Sequence, residues 1–296
     1  MPLSQIFLAV AIVASWGLNA AISKIVVTQI PTLAFLSLRF FATALIFMPF
    51  AKLHKKDLGR LFKIAMLLNV GHFSFTFYSL KYLSAASFSV IQQIQVPLAL
   101  LLGAVFLHEK ITKRQIIGII LAFCGILCIF GLPNLNLTGF ILTFMGCLFW
   151  AISQLELKKS QAIDLYTFIS FTTLFASPVL FGLSLIYEGS ILTALIETPK
   201  APLLFSFFYQ VVILGAAMML WQRLVANNGI AKVVPVMLLQ VLFGILGGVL
   251  IFNESLNWNI TIGAFFTMTG VGLAMIKSHP KAKIIQISEE LKEAAE

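Results

Sequence analysis

Residues Gln95 to Gly125 read QVPLALLLGAVFLHEKITKRQIIGIILAFCG, and residues Gln240 to Gly270 read QVLFGILGGVLIFNESLNWNITIGAFFTMTG. Each stretch is an apolar run, a break centred on a glutamate, and a second apolar run with spaced glycines. An internal repeat indicates that one structural unit is used more than once. We therefore expect the same helical hairpin in both places. The residues that recur at an offset of 145 include Gln95/Gln240, Val96/Val241, Gly103/Gly248, Glu109/Glu254, Ile117/Ile262, Gly118/Gly263 and Gly125/Gly270.

The composition of the chain is typical of a membrane protein. Of its 296 residues, 60% are hydrophobic and 10% are charged, whereas a soluble domain carries about 25% charged residues. Polar side chains cannot cover the surface, so we expect a lipid bilayer as the solvent. The formal net charge of +9 does not indicate nucleic-acid binding, because the lysines and arginines lie between apolar runs. Cys124, Cys128 and Cys147 lie within apolar runs and make no complete metal set, so we expect no metal and no cofactor.

Ten apolar runs approach the length of about 20 residues that a helix needs to cross a bilayer. Prolines, glycines, asparagines or charges separate them. The predicted spans are residues 6–26, 33–50, 61–80, 84–107, 114–132, 138–157, 165–187, 203–222, 232–252 and 258–277.

The basic residues predict the orientation of these spans. If the N-terminus is cytoplasmic, 16 of the 20 lysines and arginines lie on the inner side. Lys24, Lys81 and Lys200 then lie outside, and Arg39 lies within a span. Cytoplasmic loops carry the excess of Lys and Arg, so we expect both termini in the cytoplasm of a bacterial inner-membrane protein. Residues 278–296 are predicted to form a soluble cytoplasmic tail.

The repeat extends upstream of the hairpins. Trp16–Lys24 aligns with Trp150–Lys158 at an offset of 134, so each repeat holds five spans, over residues 1–132 and 138–277. Five is an odd number, so the second repeat must enter the membrane from the opposite side. The predicted fold is an all-α polytopic membrane protein with ten transmembrane helices in two inverted five-helix repeats. Inverted repeats are typical of secondary transporters, which bind their substrate near the middle of the membrane.

Polar side chains within the spans are the candidates for substrate binding, because they usually face the interior of the bundle. Asn69, His72, Thr76 and Ser79 share one face of the third span. Amides can bind a zwitterionic solute or join neighbouring helices, and the tryptophans can form cavity walls or pack in the core. The predicted substrate-binding residues are Trp16, Asn19, Arg39, His72, Gln95, Trp150, Gln154, Trp221 and Gln240.

The ionisable residues have alternative roles. Arg39 can reach outward to water, pair with carbonyl groups or bind a substrate carboxylate. An unperturbed histidine titrates near neutral pH, so His72 is expected to be either a proton-coupling residue or a satisfied interior histidine. Glu156 is the second candidate for coupling, near the inner mouth, where Lys158 or Lys159 can neutralise it. Glu109 and Glu254 are expected to orient the hairpin turns by capping the helix that follows each turn, or else to bind cargo.

The sequence does not indicate an enzyme. It contains no Gly-Lys dipeptide, so it has no ATP-binding loop of the Walker type. His108-Glu109 is not followed by a second histidine at the spacing of a zinc protease. The aspartates Asp57 and Asp164 lie in predicted inner loops, which excludes a catalytic pair of aspartates within the membrane.

Several short motifs follow one another in order along the two repeats. They are Trp16-Gly17-Leu18-Asn19, Lys24, Leu38-Arg39-Phe40, Gly103, Glu109-Lys110, Gly118, Gly125, Trp150, Trp221, Gly248 and Glu254-Ser255. In these residues the chain resembles the drug/metabolite transporter superfamily, in its EamA-type family, and is similar to the amino-acid-metabolite exporters of the cysteine/O-acetylserine type. The resemblance implies ten helices, cytoplasmic termini and a central cavity lined by helices 1, 3, 4, 6, 8 and 9. The chain differs from the family where His108 and Asn253 replace the usual glycine.

We expect a secondary active transporter that exports amino acids or related small polar metabolites by alternating access. The alternative is an importer of a small metabolite, nucleotide-like or sulfonium, with the same fold. The expected partners are the small-molecule substrate, the lipid bilayer and a coupling proton. The sequence leaves the choice between a monomer and a homodimer open.

Overall fold

The computed structural model describes residues 2–131, 135–158, 163–189, 200–228 and 233–275. Within these residues the chain is helical and has no strand. The predicted tail 278–296, together with Lys159 and Lys232, lies outside the described residues. The α-helices are α1 Leu3–Val27, α2 Thr32–Phe47, α3 Leu58–Ile64, α4 Phe73–Ser79, α5 Ala85–Ile91, α6 Gln95–Leu107, α7 Lys113–Phe130, α8 Leu137–Lys158, α9 Leu165–Tyr187, α10 Lys200–Phe208, α11 Leu214–Asn228, α12 Leu239–Phe252 and α13 Trp258–Met275.

Several of these helices continue one another through short segments of different winding. A π-helical segment, Ala65–His72, joins α3 to α4, and a second, Tyr209–Ile213, joins α10 to α11. A 3₁₀ segment, Gln92–Ile94, joins α5 to α6, and another, Val234–Leu238, precedes α12.

The lengths of the helices agree with an all-α membrane protein. Among the described residues, seven helical stretches are long and apolar enough to cross a membrane, and Val236–Phe252 is a shorter apolar helix. The ends of the helices lie close to the ends of the predicted spans. The all-helical fold is therefore confirmed, while the count of ten spans, the repeat boundaries and the inverted order of the halves stay predictions.

Local sequence explains where several helices begin. Thr112 and Gln115 form a reciprocal capping box at the start of α7, with the Gln115 Oε1 accepting from the Thr112 N–H at 2.9 Å. Asp164 accepts from the Thr167 N–H at 2.9 Å at the start of α9. Ser84 accepts from the Ser87 N–H at 3.0 Å at the start of α5. These side chains satisfy backbone donors that have no partner within the helix.

The two repeated hairpins end their first helix in the same way. His108 follows α6 with φ 53°, and Asn253 follows α12 with φ 51°. The next N–H groups turn back to the helix, since Glu109 N donates to Gly103 O at 3.4 Å and Glu254 N donates to Gly248 O at 3.2 Å. Glycine adopts the left-handed conformation most easily. This explains the glycine that is usual, in the family that the chain resembles, at the positions of His108 and Asn253.

Helices from the two halves of the sequence pack closely against each other. α7 packs against α13, α2 against α9, and α1 against α12. At Gly270 an added Cβ would lie 2.4 Å from Ala122 N and 2.5 Å from Gly118 O, so the α7 and α13 backbones touch. Ser37 and Ser177 join α2 to α9 reciprocally, because each hydroxyl donates to the carbonyl of the other residue, at 2.9 and 3.1 Å. Small residues allow such close approach in membrane helices.

Candidate functional site

A cavity of about 400 Å³ lies at the centre of the bundle. It is lined from α1, α2, the α3–α4 helix, the α5–α6 helix, α8, α9, the α10–α11 helix and Gln240 of α12. The resemblance predicted contributions from the first, third, fourth, sixth, eighth and ninth spans, and the structure adds the second span, which is α2, and the seventh span, which is α9. A volume of this size suits a small molecule.

Most of the predicted binding residues line this cavity. Trp16, Asn19, Arg39 and His72 do so from α1, α2 and the segment that joins α3 to α4. Gln95, Trp150 and Gln240 complete the set.

Two predicted binding residues, Trp221 and Gln154, lie outside the lining of the cavity among the described residues. The Trp221 ring packs behind Trp16, with ring centroids 5.1 Å apart, in a buried apolar cluster. Gln154 Nε2 lies 3.4 Å from Ser153 Oγ on its own helix. Helical spacing predicts that both residues lie on a helix face turned to the interior of the bundle. It does not distinguish residues that line a cavity from residues that pack behind the lining.

Arg39 is the charged residue of the cavity lining, and no aspartate or glutamate of the described residues lines it. Its side chain is buried, since the residue is 8% exposed. The guanidinium carbon lies 5.3 Å from the Phe40 ring, 5.1 Å from the Phe73 ring and 5.6 Å from the Phe77 ring. Aromatic faces attract cations. The guanidinium therefore lies within an aromatic cage and does not extend to the surface.

The guanidinium of Arg39 keeps unused hydrogen-bonding capacity. Its Nη1 has no hydrogen-bond partner, and the ion pairs of the described residues do not include Arg39. Guanidinium groups bind carboxylates through two parallel hydrogen bonds. The cavity wall therefore contains a buried cation that can bind an anionic group of a small molecule.

His72 is fixed on the same wall of the cavity. The residue is 5% exposed, and its Nδ1 lies 2.9 Å from the Gly146 carbonyl oxygen of α8. A carbonyl oxygen only accepts, so Nδ1 carries the proton in this arrangement and Nε2 is the basic nitrogen of the neutral ring. The imidazole can therefore take up a second proton at Nε2.

Two amides of the cavity have atoms without partners. Asn69 is 4% exposed and its Oδ1 has no hydrogen bond, while Gln210 is 2% exposed and neither Oε1 nor Nε2 has one. Gln210 was missed from the sequence, although a lone amide in the apolar run Tyr209–Ile213 is the same signal that identified Gln95. The phenylalanines around Arg39 were missed because 28 phenylalanines in the chain give no basis for choosing three.

One end of the bundle, which we name the Glu254 end, is tied together by a carboxylate. Glu254 accepts from the backbone N–H groups of Ala85 at 2.7 Å and Ala86 at 3.0 Å, and from Lys24 Nζ at 3.1 Å. Lys24 also lies 5.1 Å from the centre of the Phe252 ring. The prediction that Glu254 caps the following helix is wrong: its side chain caps α5 instead, because the turn directs the carboxylate across the bundle.

Glu188, at the same end, has a similar role that the sequence did not indicate. Its carboxylate accepts from Leu33 N at 2.9 Å, from Ala34 N at 3.3 Å and from the Ser184 hydroxyl at 2.9 Å. The Tyr78 hydroxyl also donates to it. Glu188 therefore caps α2 and joins it to α4 and α9. The nearby Lys81 lies over the Tyr78 ring, and burial lowers the pKa of its ammonium while the Glu188 charge acts to raise it.

The opposite end, which we name the Glu109 end, carries two ion pairs whose lysines are exposed. Glu109 pairs with Lys158, and Glu156 pairs with Lys63 at 2.9 Å. Of the two predicted partners of Glu156, Lys158 is thus engaged with Glu109, because the α6 turn brings that carboxylate to the end of α8. The other, Lys159, lies outside the described residues. The prediction that Glu109 caps the following helix is also wrong, since Thr112 caps α7.

The comparison with known protein families identifies the chain. The model of the EamA-like transporter family matches residues 3–131 and 137–276. The chain belongs to the EamA-like transporter family. The family expected from the sequence is confirmed, and it is a family of membrane transporters rather than of enzymes.

The relatives of this EamA-like protein span nearly its whole length. It is 26% identical over 276 residues to the "Probable amino-acid metabolite efflux pump" of Salmonella typhimurium, covering 90% of this chain and 92% of the relative. The protein of the same name from Escherichia coli is 26% identical, with 89% and 92% covered. An uncharacterised transporter of Bacillus subtilis is 26% identical over 292 residues, with 94% of each chain covered.

A solved crystal structure, described only as that of a protein, has the same fold. Its TM-score is 0.62 at 14% sequence identity, and the match covers 92% of this chain and 97% of the other. At this identity the likeness concerns the fold alone.

Proposed function

We propose that this EamA-like protein is a secondary active exporter of amino acids or closely related metabolites, and that the central cavity is its binding site. The observation that carries the proposal is Arg39, a buried guanidinium in the cavity wall with no ion-pair partner among the described residues. An unpaired buried charge is unfavourable, and a substrate carboxylate would neutralise it. The names of the Salmonella and Escherichia relatives agree with such a substrate.

We infer that the chain crosses the membrane ten times, in two halves of opposite orientation over residues 1–132 and 138–277. Several paired features support this arrangement. The left-handed residues His108 and Asn253 end equivalent helices, and Ser37 and Ser177 exchange equivalent hydrogen bonds between α2 and α9. A third feature is a pair of ion pairs, Lys24 with Glu254 and Lys158 with Glu109, which join residues related by the repeat.

The positive-inside rule assigns the two ends. We infer that the Glu109 end faces the cytoplasm, together with both termini, and that the Glu254 end faces outward. The tight contacts of Glu254 and Glu188 then close the outer side. In the alternating-access mechanism, the two halves would rock against each other so that the opposite end closes in its turn.

A proton can drive export through His72. The ring lies in the cavity wall with its Nδ1 engaged by the Gly146 carbonyl, so protonation at Nε2 would place a second positive charge near Arg39. That charge would change the affinity of the site for a zwitterion. Glu156 is the weaker candidate, because it pairs with Lys63 outside the cavity lining.

Everted membrane vesicles from an overexpressing strain test the proposal. With a proton gradient that is acidic inside and without ATP, they should accumulate labelled amino acids. The variant Arg39→Gln should reduce this accumulation at least tenfold. Arg223→Gln is the matched control, because Arg223 is exposed and its replacement should leave transport unchanged.

Vesicles of the two orientations distinguish export from import. If right-side-out vesicles accumulate the substrate when an inward proton gradient is imposed and everted vesicles do not accumulate it, the protein is an importer. If neither preparation transports any amino acid or related metabolite, the proposed substrate class is wrong.

A further inference from the structure

Among the described residues, four buried polar atoms in the cavity wall have no hydrogen-bond partner. Two are donors, Arg39 Nη1 and Gln210 Nε2, and two are acceptors, Asn69 Oδ1 and Gln210 Oε1. All three residues line the same cavity. Buried polar groups are normally hydrogen-bonded, and a native protein that leaves several of them unpaired around one cavity indicates a ligand that supplies the missing partners.

The backbone around the two amides is unusual in the same way. Asn69 lies in the π-helical segment Ala65–His72, and Gln210 lies in the π-helical segment Tyr209–Ile213. Both segments interrupt the third predicted span of their half. Single-turn π-helical insertions are rare and frequently mark functional sites. The winding thus singles out Asn69 and Gln210 independently of their missing hydrogen bonds.

The two π-helical segments pack against other helices that line the cavity. The segment that carries Gln210 packs against α2, which carries Arg39, and the segment that carries Asn69 packs against α8 and α9. Other hydroxyl groups of this wall are already engaged: Thr172 donates to Phe168 O at 2.7 Å, and Thr173 donates to Ile169 O at 2.6 Å. The unpaired atoms of Arg39, Gln210 and Asn69 are therefore available to a ligand, whereas these hydroxyl groups are not.

We propose that Gln210 recognises the α-amino-carboxylate group of the substrate through both polar atoms of its side-chain amide, the donor Nε2 and the acceptor Oε1. Its Nε2 donates to one carboxylate oxygen while Arg39 binds the carboxylate, and its Oε1 accepts from the ammonium group together with Asn69 Oδ1. The two donors and two acceptors match the carboxylate and ammonium of a free α-amino acid. The inference rests on the proposed function and narrows its substrate class to molecules that carry a free amine and a free carboxylate on the same carbon.

This assignment makes a different prediction for each altered substrate. An N-acetylated amino acid loses the ammonium charge and two of its N–H donors, a des-amino analogue loses the nitrogen, and an amide of the α-carboxylate loses the negative charge. A site built to hydrogen-bond a ligand group discriminates strongly against an analogue that lacks it. Each analogue should therefore bind at least tenfold more weakly than the parent amino acid.

The experiment uses the full chain in lipid nanodiscs. The twenty proteinogenic amino acids are screened for binding by thermal shift, and the tightest is compared with its N-acetyl, des-amino and α-carboxamide analogues by competition. The variant Gln210→Leu should reduce the preference for the parent over all three analogues to about threefold or less. Asn69→Leu should reduce only the preferences that depend on the amine, and Arg39→Lys should reduce mainly the preference over the carboxamide.

Gln222→Leu is the control, because Gln222 is exposed on α11 and should keep every preference of the wild type. The ratios between ligands are the decisive readout, since a purely structural defect weakens all ligands alike. Equal binding of the N-acetyl analogue and the parent overturns the inference, and so does a Gln210→Leu variant whose ratios remain those of the wild type. If no amino acid binds to the wild type, the proposed function itself falls.

Discussion

The two ends of the bundle carry the same ion pair in different surroundings. At the Glu254 end the side chains of Lys24 and Glu254 are 18% and 11% exposed, and the carboxylate also binds the first N–H groups of α5. At the Glu109 end the side chains of Lys158 and Glu109 are 58% and 42% exposed. The residues at the offset of 145 from Ala85 and Ala86 are Ile230 and Ala231, which lie outside the described residues. Related sequences thus produce a buried contact at one end and a solvated one at the other.

The difference has a physical consequence for the energy of each end. A solvated ion pair contributes about 0–1 kcal/mol, because water and salt screen it. A largely buried pair that also caps a helix costs much more to break, since the remaining partner is left unpaired. The positive end of the α5 helix dipole adds to the effect at Glu254. Among the described residues, the ion pair at the Glu254 end therefore holds its helices together more strongly than the pair at the Glu109 end.

The largest expected effect is the loss of the Glu254 charge. Glu254→Gln should destabilise the protein by about 3 kcal/mol, because Lys24 would be left without its counter-ion in a place of low exposure. Glu109→Gln is the matched variant at the other end and should cost less than about 1 kcal/mol. Thermal unfolding of both variants in the same detergent measures the difference. Equal shifts in Tm would mean that the two ends are energetically alike.

A smaller effect is expected where α7 and α13 meet. Gly270→Ala should cost about 1–3 kcal/mol, because the new methyl group overlaps the α7 backbone and forces it to move. Gly182→Ala, in α9, is the control, since an added Cβ there meets no atom within 4 Å. Thermal unfolding again provides the readout. A Gly270→Ala variant as stable as the wild type would show that the close packing of these helices does not hold the two halves together.

The smallest effect is expected from exchanging the charges at the Glu109 end. The double variant Lys158→Glu/Glu109→Lys should remain within about 0.5 kcal/mol of the wild type, because water and salt screen the exposed pair in either orientation. The same exchange at the Glu254 end, Lys24→Glu/Glu254→Lys, should stay destabilised, since a lysine at the N-terminus of α5 opposes the helix dipole. If both double variants were as stable as the wild type, the two ends would not differ in the energetic role of their ion pairs.

The sequence predicted the helices well because lipid imposes a simple rule on them. Spans must be apolar and about 20 residues long, so charges and turn residues mark their ends clearly. It could not predict the π-helical segments Ala65–His72 and Tyr209–Ile213, because their residues also fit a regular α-helix. The partners of Glu254 and Glu188 were missed for a related reason: Ala85 and Leu33 offer backbone N–H groups, which leave no signature in the sequence.

The cavity was predicted in part. Polar side chains in apolar spans identified Asn19, Arg39 and Gln240, since burial of such groups requires an interior surface. The same rule also selected Gln154, because it does not distinguish interior positions that line a cavity from interior positions that are packed. The sequence could not single out Gln210, because its unpaired amide atoms and the π-helical winding around it are features of the structure.

The opposite orientation of the two halves is the claim on which the transport mechanism depends, and equivalent turns of the two hairpins test it most directly. Ile111 and Leu256 lie at equivalent positions, two residues after Glu109 and Glu254. In a background whose cysteines are replaced, Leu256→Cys should react with a membrane-impermeant maleimide in intact cells. Ile111→Cys should react only in everted vesicles. If both cysteines react from the same side of the membrane, the halves are not inverted and the account is contradicted.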